Sequence, residues 1–166
     1  MTTKAARRAR TGLGLRLAAA LLLTPVAAAA GPARAQTVID GDTLEISGTT
    51  YRLYGIEAAD LNQTCGDGWA AGRAARAYLR DLVGSHDITC SPLMGERDGE
   101  TEAICRADGV DLGAAMVTDG YALAFVPYSA RYITQEEAAV AARRGVHAHD
   151  CLAPWTWRAQ RDDDGD

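Results

Sequence analysis

The chain has 166 residues, with 17 basic and 22 acidic side chains, a net charge of −5, and four cysteines. That length suits one domain. The acidic balance excludes a protein that grips nucleic acid over a broad basic face, so any anion site must be local.

The first 35 residues read as a secretory signal peptide. Lys4, Arg7, Arg8, Arg10 and Arg16 make a basic start, "LAAALLLTPVAAAA" is an apolar run broken by Pro25, and small residues offer cleavage after Ala35 or Ala30. A retained membrane helix is the alternative, but the run is shorter than the roughly 20 residues of a span. Cleavage after Ala35 leaves 11 arginines against 22 acids, net −11; cleavage after Ala30 leaves −10. The expected location is the periplasm or outside the cell, free of the membrane once cleaved.

Along the mature chain, "TLEISGTTYRLYGI" alternates around Ser47-Gly48 and predicts a hairpin. "CGDG" breaks the chain, and Trp69 to Val83 has helical periodicity. "HDITC" and "EAICRA" predict two strands flanking the polar loop "GERDGET". Asp108-Gly109 predicts a turn, and Asp111 a cap for a short helix ending at Gly120. "TQEE" has the form of a capping box before a helix stopping at Gly145. Residues 161–166 predict a frayed acidic tail, leaving 36–160 as the domain. Strands outnumber helices and do not alternate regularly with them. The pattern therefore predicts a small barrel of five strands with helices after the third and fifth.

An even cysteine count on an exported chain predicts two disulfides. Three connectivities exist. Cys90 with Cys105 and Cys65 with Cys151 is the favoured set, because Cys90 and Cys105 lie on runs that face each other across a hairpin.

Chemistry concentrates in "VIDGDTL" and "RLYGIEAAD". Asp40 and Asp42 flank Gly41, and the hairpin can bring Asp42 and Glu57 to one end of the sheet. Clustered carboxylates need a balancing cation, and a hard ion such as Ca²⁺ supplies one. Arg52 beside them can fork onto a phosphate. The plainer reading is an ordinary Asp-Gly turn among many acids.

"VIDGDTL", "YRLYGIEAAD", "ERDGETEAICRADGVDLGAAMVTDGYALAF", "AARRG" and "PWTWR" together resemble the staphylococcal nuclease (thermonuclease) family from about Val38 to Arg158. The resemblance implies an α+β, mainly β fold: a five-stranded OB-fold barrel with three α-helices. It also implies Ca²⁺-dependent hydrolysis of DNA or RNA phosphodiesters; the chain is expected to be a monomer. Under it, Asp42 matches a metal ligand with Asp40 behind it. Glu57 matches the second ligand, where the family usually has Asp, and Ala58 offers its backbone carbonyl. Arg52 matches the first phosphate-binding arginine, and Arg97 a lesser phosphate contact. Asp60 stands at the general-base position, where the family has Glu, and reaches about one carbon less far.

The sharpest departure is Glu100, at the position of the second catalytic arginine, with Asp98 where the family has Tyr. Losing one such electrostatic group typically costs on the order of 10²–10³ in rate, so activity is expected to be weak or lost. Arg106 is the other candidate for the missing cation. The alternative is a catalytically degenerate secreted OB-fold module that binds a protein or small ligand, with single-stranded DNA or RNA a weak partner at most.

Other features carry plainer readings. His147, His149 and Cys151 have a generic zinc spacing. Arg73, Arg76 and Arg80 form a helical stripe, read as a solvated face. Trp155 and Trp157 are read as packing the C-terminal segment, and Tyr128 or Tyr132 as candidates to line the cleft.

Overall fold

The computed structural model describes residues 36–163. The expected signal peptide and the last three tail residues lie outside the described residues.

Period-two patterning builds the first sheet. β1 (Gln36–Val38), β2 (Thr43–Ile46) and β3 (Thr49–Leu53) form an antiparallel meander. In β2, Leu44 and Ile46 are buried while Glu45 is exposed. β4 (Ile56–Ala58) leads to helix α1 (Ala71–Val83), which starts two residues later than expected and buries Ala75, Leu79 and Val83. β5 (Ile88–Arg97) and β6 (Glu100–Ala107) form the expected hairpin, and β7 (Val110–Asp111) returns onto β6. The Ser47-Gly48 and Asp98-Gly99 turns hold both residues at positive φ, as tight hairpins require.

Helix α2 (Leu112–Thr118) is capped as expected, Asp111 accepting from the Ala114 N–H at 3.1 Å. β8 (Ala122–Ala124) pairs with β4 in a separate two-stranded ladder. The main sheet runs β1-β2-β3-β6-β5, with β3 and β6 parallel. The architecture is mixed α+β. The strand ladders describe an open six-stranded sheet and a two-stranded one, not a closed barrel, since no ladder joins β1 to β5.

The described residues contain eight strands and four α-helices where five and three were expected. β1, β4, β7 and β8 are two or three residues long, too short to leave an alternating signal. The capping box does not form. Helix α3 (Ile133–Ala141) begins at Ile133 without a side-chain cap and ends before Gly145. Glu136 accepts the Ala124 N–H at 3.0 Å, tying α3 to β8. After a short 3₁₀ turn at Gly145–Ala148, α4 (Pro154–Asp163) starts on a proline suited to a first helical turn and extends through the start of the expected frayed tail.

Leu44, Ile56, Leu79, Leu112 and Met116 are fully buried at the centre. Each such side chain contributes roughly 1.5–3 kcal/mol. Both expected disulfides are present. Cys90 and Cys105 face each other in the β5–β6 ladder, and Cys65–Cys151 ties the loop after β4 to the segment before α4. Two disulfides indicate an oxidising, extracytoplasmic compartment. Among the described residues no helix is long and apolar enough to cross a membrane.

Candidate functional site

The strand register assembles the first wall. Thr43 pairs with Arg52, so Arg52 on β3 stands beside Asp42 at the start of β2. The Leu53 N–H donates to the Asp42 carbonyl at 2.8 Å. The Ala58 N–H donates to Asp42 Oδ2 at 2.7 Å, which locks the carboxylate against β4. Asp40 Oδ1 accepts the Asp42 N–H at 3.0 Å. Gly41 was expected to allow a bend; its role is close approach. A Cβ there would meet the Ala58 and Ala75 Cβ atoms at 2.6 and 2.7 Å, so only glycine lets this loop lie between β4 and α1.

Asp42, Arg52, Glu57 and Asp60 line one cleft of about 250 Å³, together with Asp40, Arg97, Asp98, Arg158 and the backbone at Ala58. The four expected positions are thus brought together. Asp42 and Glu57 are 3% and 1% exposed, an unusual depth for acids. Arg52 Nη2 spans them, 3.3 Å from Asp42 Oδ2 and 3.2 Å from Glu57 Oε1. Burial pushes the Asp42 carboxyl up to about 7, with Arg52 opposing the rise. Burial also pulls down on Arg52, but Asp42, Glu57 and Glu100 outweigh it and hold the guanidinium charged.

Glu100, the departure from the second arginine, opens β6 and sits 3.4 Å from Arg52 Nη1, so it pairs with that guanidinium. Arg97 follows a register shift between Pro92 and Glu96 in β5 and turns to Glu57 Oε2 at 3.0 Å, its guanidinium lying over the Phe125 ring. Arg106 pairs at 4.0 Å with Asp111, which does not line this cleft, and does not replace the missing cation.

The second wall was not expected. Arg158 on α4 reaches into the cleft, with Nη2 2.6 Å from Glu57 Oε1 and Nη1 2.8 Å from Asp60 Oδ2. Gln63 is also buried. Its side chain accepts the Asp60 N–H at 3.3 Å and donates to the Leu152 carbonyl at 2.8 Å, linking the Asp60 turn to the C-terminal segment. Arg158 stands three residues after Trp155, one helical turn on. That spacing, following a proline at the first helical position, was the available signal.

As these side chains stand, the donor set does not fit Ca²⁺. Arg52 Nη2 fills the space between Asp42 and Glu57, and Asp42 Oδ2 already accepts the Ala58 N–H. Among the described residues no group of three potential ligands gathers around one point. The generic zinc spacing forms no site among the described residues, as expected from assigning Cys151 to a disulfide: Cys151 pairs with Cys65, and His149 bonds Asp67 at 2.7 Å and stacks on Trp69. Two buried atoms here lack a hydrogen-bond partner, the Arg52 Nε donor and the Glu57 Oε2 acceptor, each a deficit costing roughly 1–3 kcal/mol.

Around the cleft, Tyr132 is buried and donates to Asp111, while Tyr128 is exposed and donates to the buried Glu102 at 2.6 Å. Trp155 packs on Phe125. Arg76 and Arg80 line a different cleft, with β1.

The sequence is similar to the succinoglycan biosynthesis protein ExoI of Rhizobium meliloti (strain 1021), 36% identical over 112 residues. The match covers 63% of this chain and 59% of that relative, so the chain spans under two thirds of the length of the relative it matches. No family model matches the chain.

Proposed function

We propose that this is a thermonuclease-like, OB-type protein of the periplasm or exterior whose cleft binds phosphate esters of single-stranded nucleic acid and hydrolyses them slowly. The observation that carries the reading is the convergence of Asp42, Arg52, Glu57 and Asp60 in one cleft. The parallel β3–β6 pairing at the end of a three-strand meander supports the OB-type topology.

In this reading a phosphodiester enters by exchanging with carboxylates on Arg52 and Arg97, and the guanidinium forks hold its oxygens. Asp60 takes a proton from water as the water oxygen bonds to phosphorus. The P–O bond to one sugar breaks, and that oxygen leaves protonated by solvent. A phosphomonoester and an alcohol result. Three arginines already held by carboxylates, one of them by Glu100, make the exchange costly and turnover slow. No step is assigned to Ca²⁺, because Arg52 Nη2 already pairs with both Asp42 and Glu57, the residues that would hold it.

The same ion pairing favours a second reading, a degenerate binding module.

Cleavage of single-stranded DNA with Ca²⁺ and with a chelator, by wild type, Asp42→Ala and Glu100→Arg, separates the two. The hydrolase reading expects slow wild-type cleavage, loss in Asp42→Ala and a gain in Glu100→Arg. Absence of cleavage in wild type and Glu100→Arg under both conditions contradicts it and leaves the binding module.

A further inference from the structure

We infer that Arg158 is a phosphate-binding arginine of this cleft, delivered by the C-terminal helix and taking up the charge that Glu100 removes. The inference rests on the phosphate-ester reading and adds a residue to it.

Two guanidinium groups from distant parts of the chain meet on one atom. Arg52 Nη2 and Arg158 Nη2 both contact Glu57 Oε1, at 3.2 and 2.6 Å. A ligand oxygen that takes the place of that carboxylate oxygen is met by two positive charges from opposite walls. The second nitrogen of Arg158 holds Asp60, the residue placed to accept the proton of water. Once a phosphate draws Arg158 away, Asp60 Oδ2 is released. Binding of the ester and release of the base are then one event. Arg158 is 38% exposed along its side chain, so it can turn from carboxylate to ligand, whereas Arg52 at 14% is fixed.

Helix α4 does not need Arg158 to stay in place. Cys65–Cys151 holds the segment just before it, Gln63 bonds Leu152, and Trp155 packs against Phe125. An arginine superfluous for docking, aimed at two acids of the cleft, is placed for ligand.

The test is anisotropy of a fluorescein-labelled oligothymidylate of eight nucleotides, titrated with wild type, Arg158→Ala, Arg158→Lys and Arg80→Ala over a range of KCl concentrations. Arg158→Ala is expected to weaken binding at least tenfold and to flatten the salt dependence by about 0.7 in log–log slope, one phosphate contact on a single strand. Arg158→Lys is expected to keep the slope while binding more weakly, because the planar fork is lost. Arg80→Ala, in the other basic cleft, is expected to match wild type, and all variants to melt within a few degrees of it. An Arg158→Ala protein with wild-type affinity and slope overturns the inference and leaves the phosphate-ester reading standing. Equal losses in Arg158→Ala and Arg80→Ala overturn it too. A wild type that does not bind overturns the phosphate-ester reading, and the inference with it.

Discussion

The two walls of the cleft are made differently. The β wall, with Asp42, Arg52 and Glu57, comes from residues within 16 positions of one another, and strand register places them. The helical wall, Arg158, comes from 101 positions beyond Glu57 and is set by a disulfide, one buried glutamine and an aromatic contact. The β wall is deeply buried and fixed; the helical wall is half-exposed and hinged on a covalent tether. A site built this way can lose its second wall without losing its first.

The largest effect should follow from cutting the tether. Replacing Cys65 and Cys151 by serine opens a loop of 86 residues, worth about 4–5 kcal/mol in the chain-entropy picture. Denaturant unfolding should show that loss, and oligonucleotide affinity should fall to the level of Arg158→Ala. The Cys90 and Cys105 pair closes 15 residues, so its removal should cost about 3 kcal/mol and leave affinity unchanged once the protein is folded. Equal functional effects from the two disulfides would break the distinction between the walls.

Arg52→Ala attacks the β wall directly. It strands two buried acids and should destabilise the fold by about 3–5 kcal/mol, read by urea unfolding. Arg158→Ala, at a more exposed pair, should cost under about 1 kcal/mol. Glu100→Gln should do little to stability but raise oligonucleotide affinity, since it frees Arg52 Nη1 of a competing carboxylate. Unchanged affinity would mean that Glu100 does not guard the cleft.

A separate effect concerns pH. Asp42 holds its proton to about 7 in the fold, against an ordinary value of 3.8. Between those values the folded state binds more protons than the unfolded chain. Its contribution is therefore complete below about pH 4 and is lost as pH rises through 7. Asp42→Asn should remove that slope, so the wild-type-minus-mutant stability difference should decline from pH 4 to 7. A flat difference would show that Asp42 is ionised throughout.

The contrast between the walls also explains what the sequence made legible. Asp42, Arg52 and Glu57 were readable because a hairpin and a fixed register connect neighbours in sequence. Both disulfide pairs were readable for a related reason: one lies across a hairpin and leaves the other by elimination. Arg158 was not, because the helical spacing of Trp155 and Arg158 marks a shared face but not its partner; only the path of the chain links "PWTWR" to Glu57. Glu100 was visible as a departure, but its pairing with Arg52 depends on the parallel β3–β6 ladder, a long-range contact that leaves no periodic signal. The capping box at Thr134 failed because the helix starts one residue before it, at Ile133, which puts Thr134 inside the first turn instead of at the cap.

The account stands on phosphate entering between the two walls. The most direct measurement follows the ¹⁵N arginine side-chain Nε–Hε signals while oligothymidylate is added. The account predicts that Arg52 and Arg158 shift together and saturate at one affinity, with Arg76 and Arg80 unmoved. Shifts confined to Arg76 and Arg80, or none at Arg52, would contradict it.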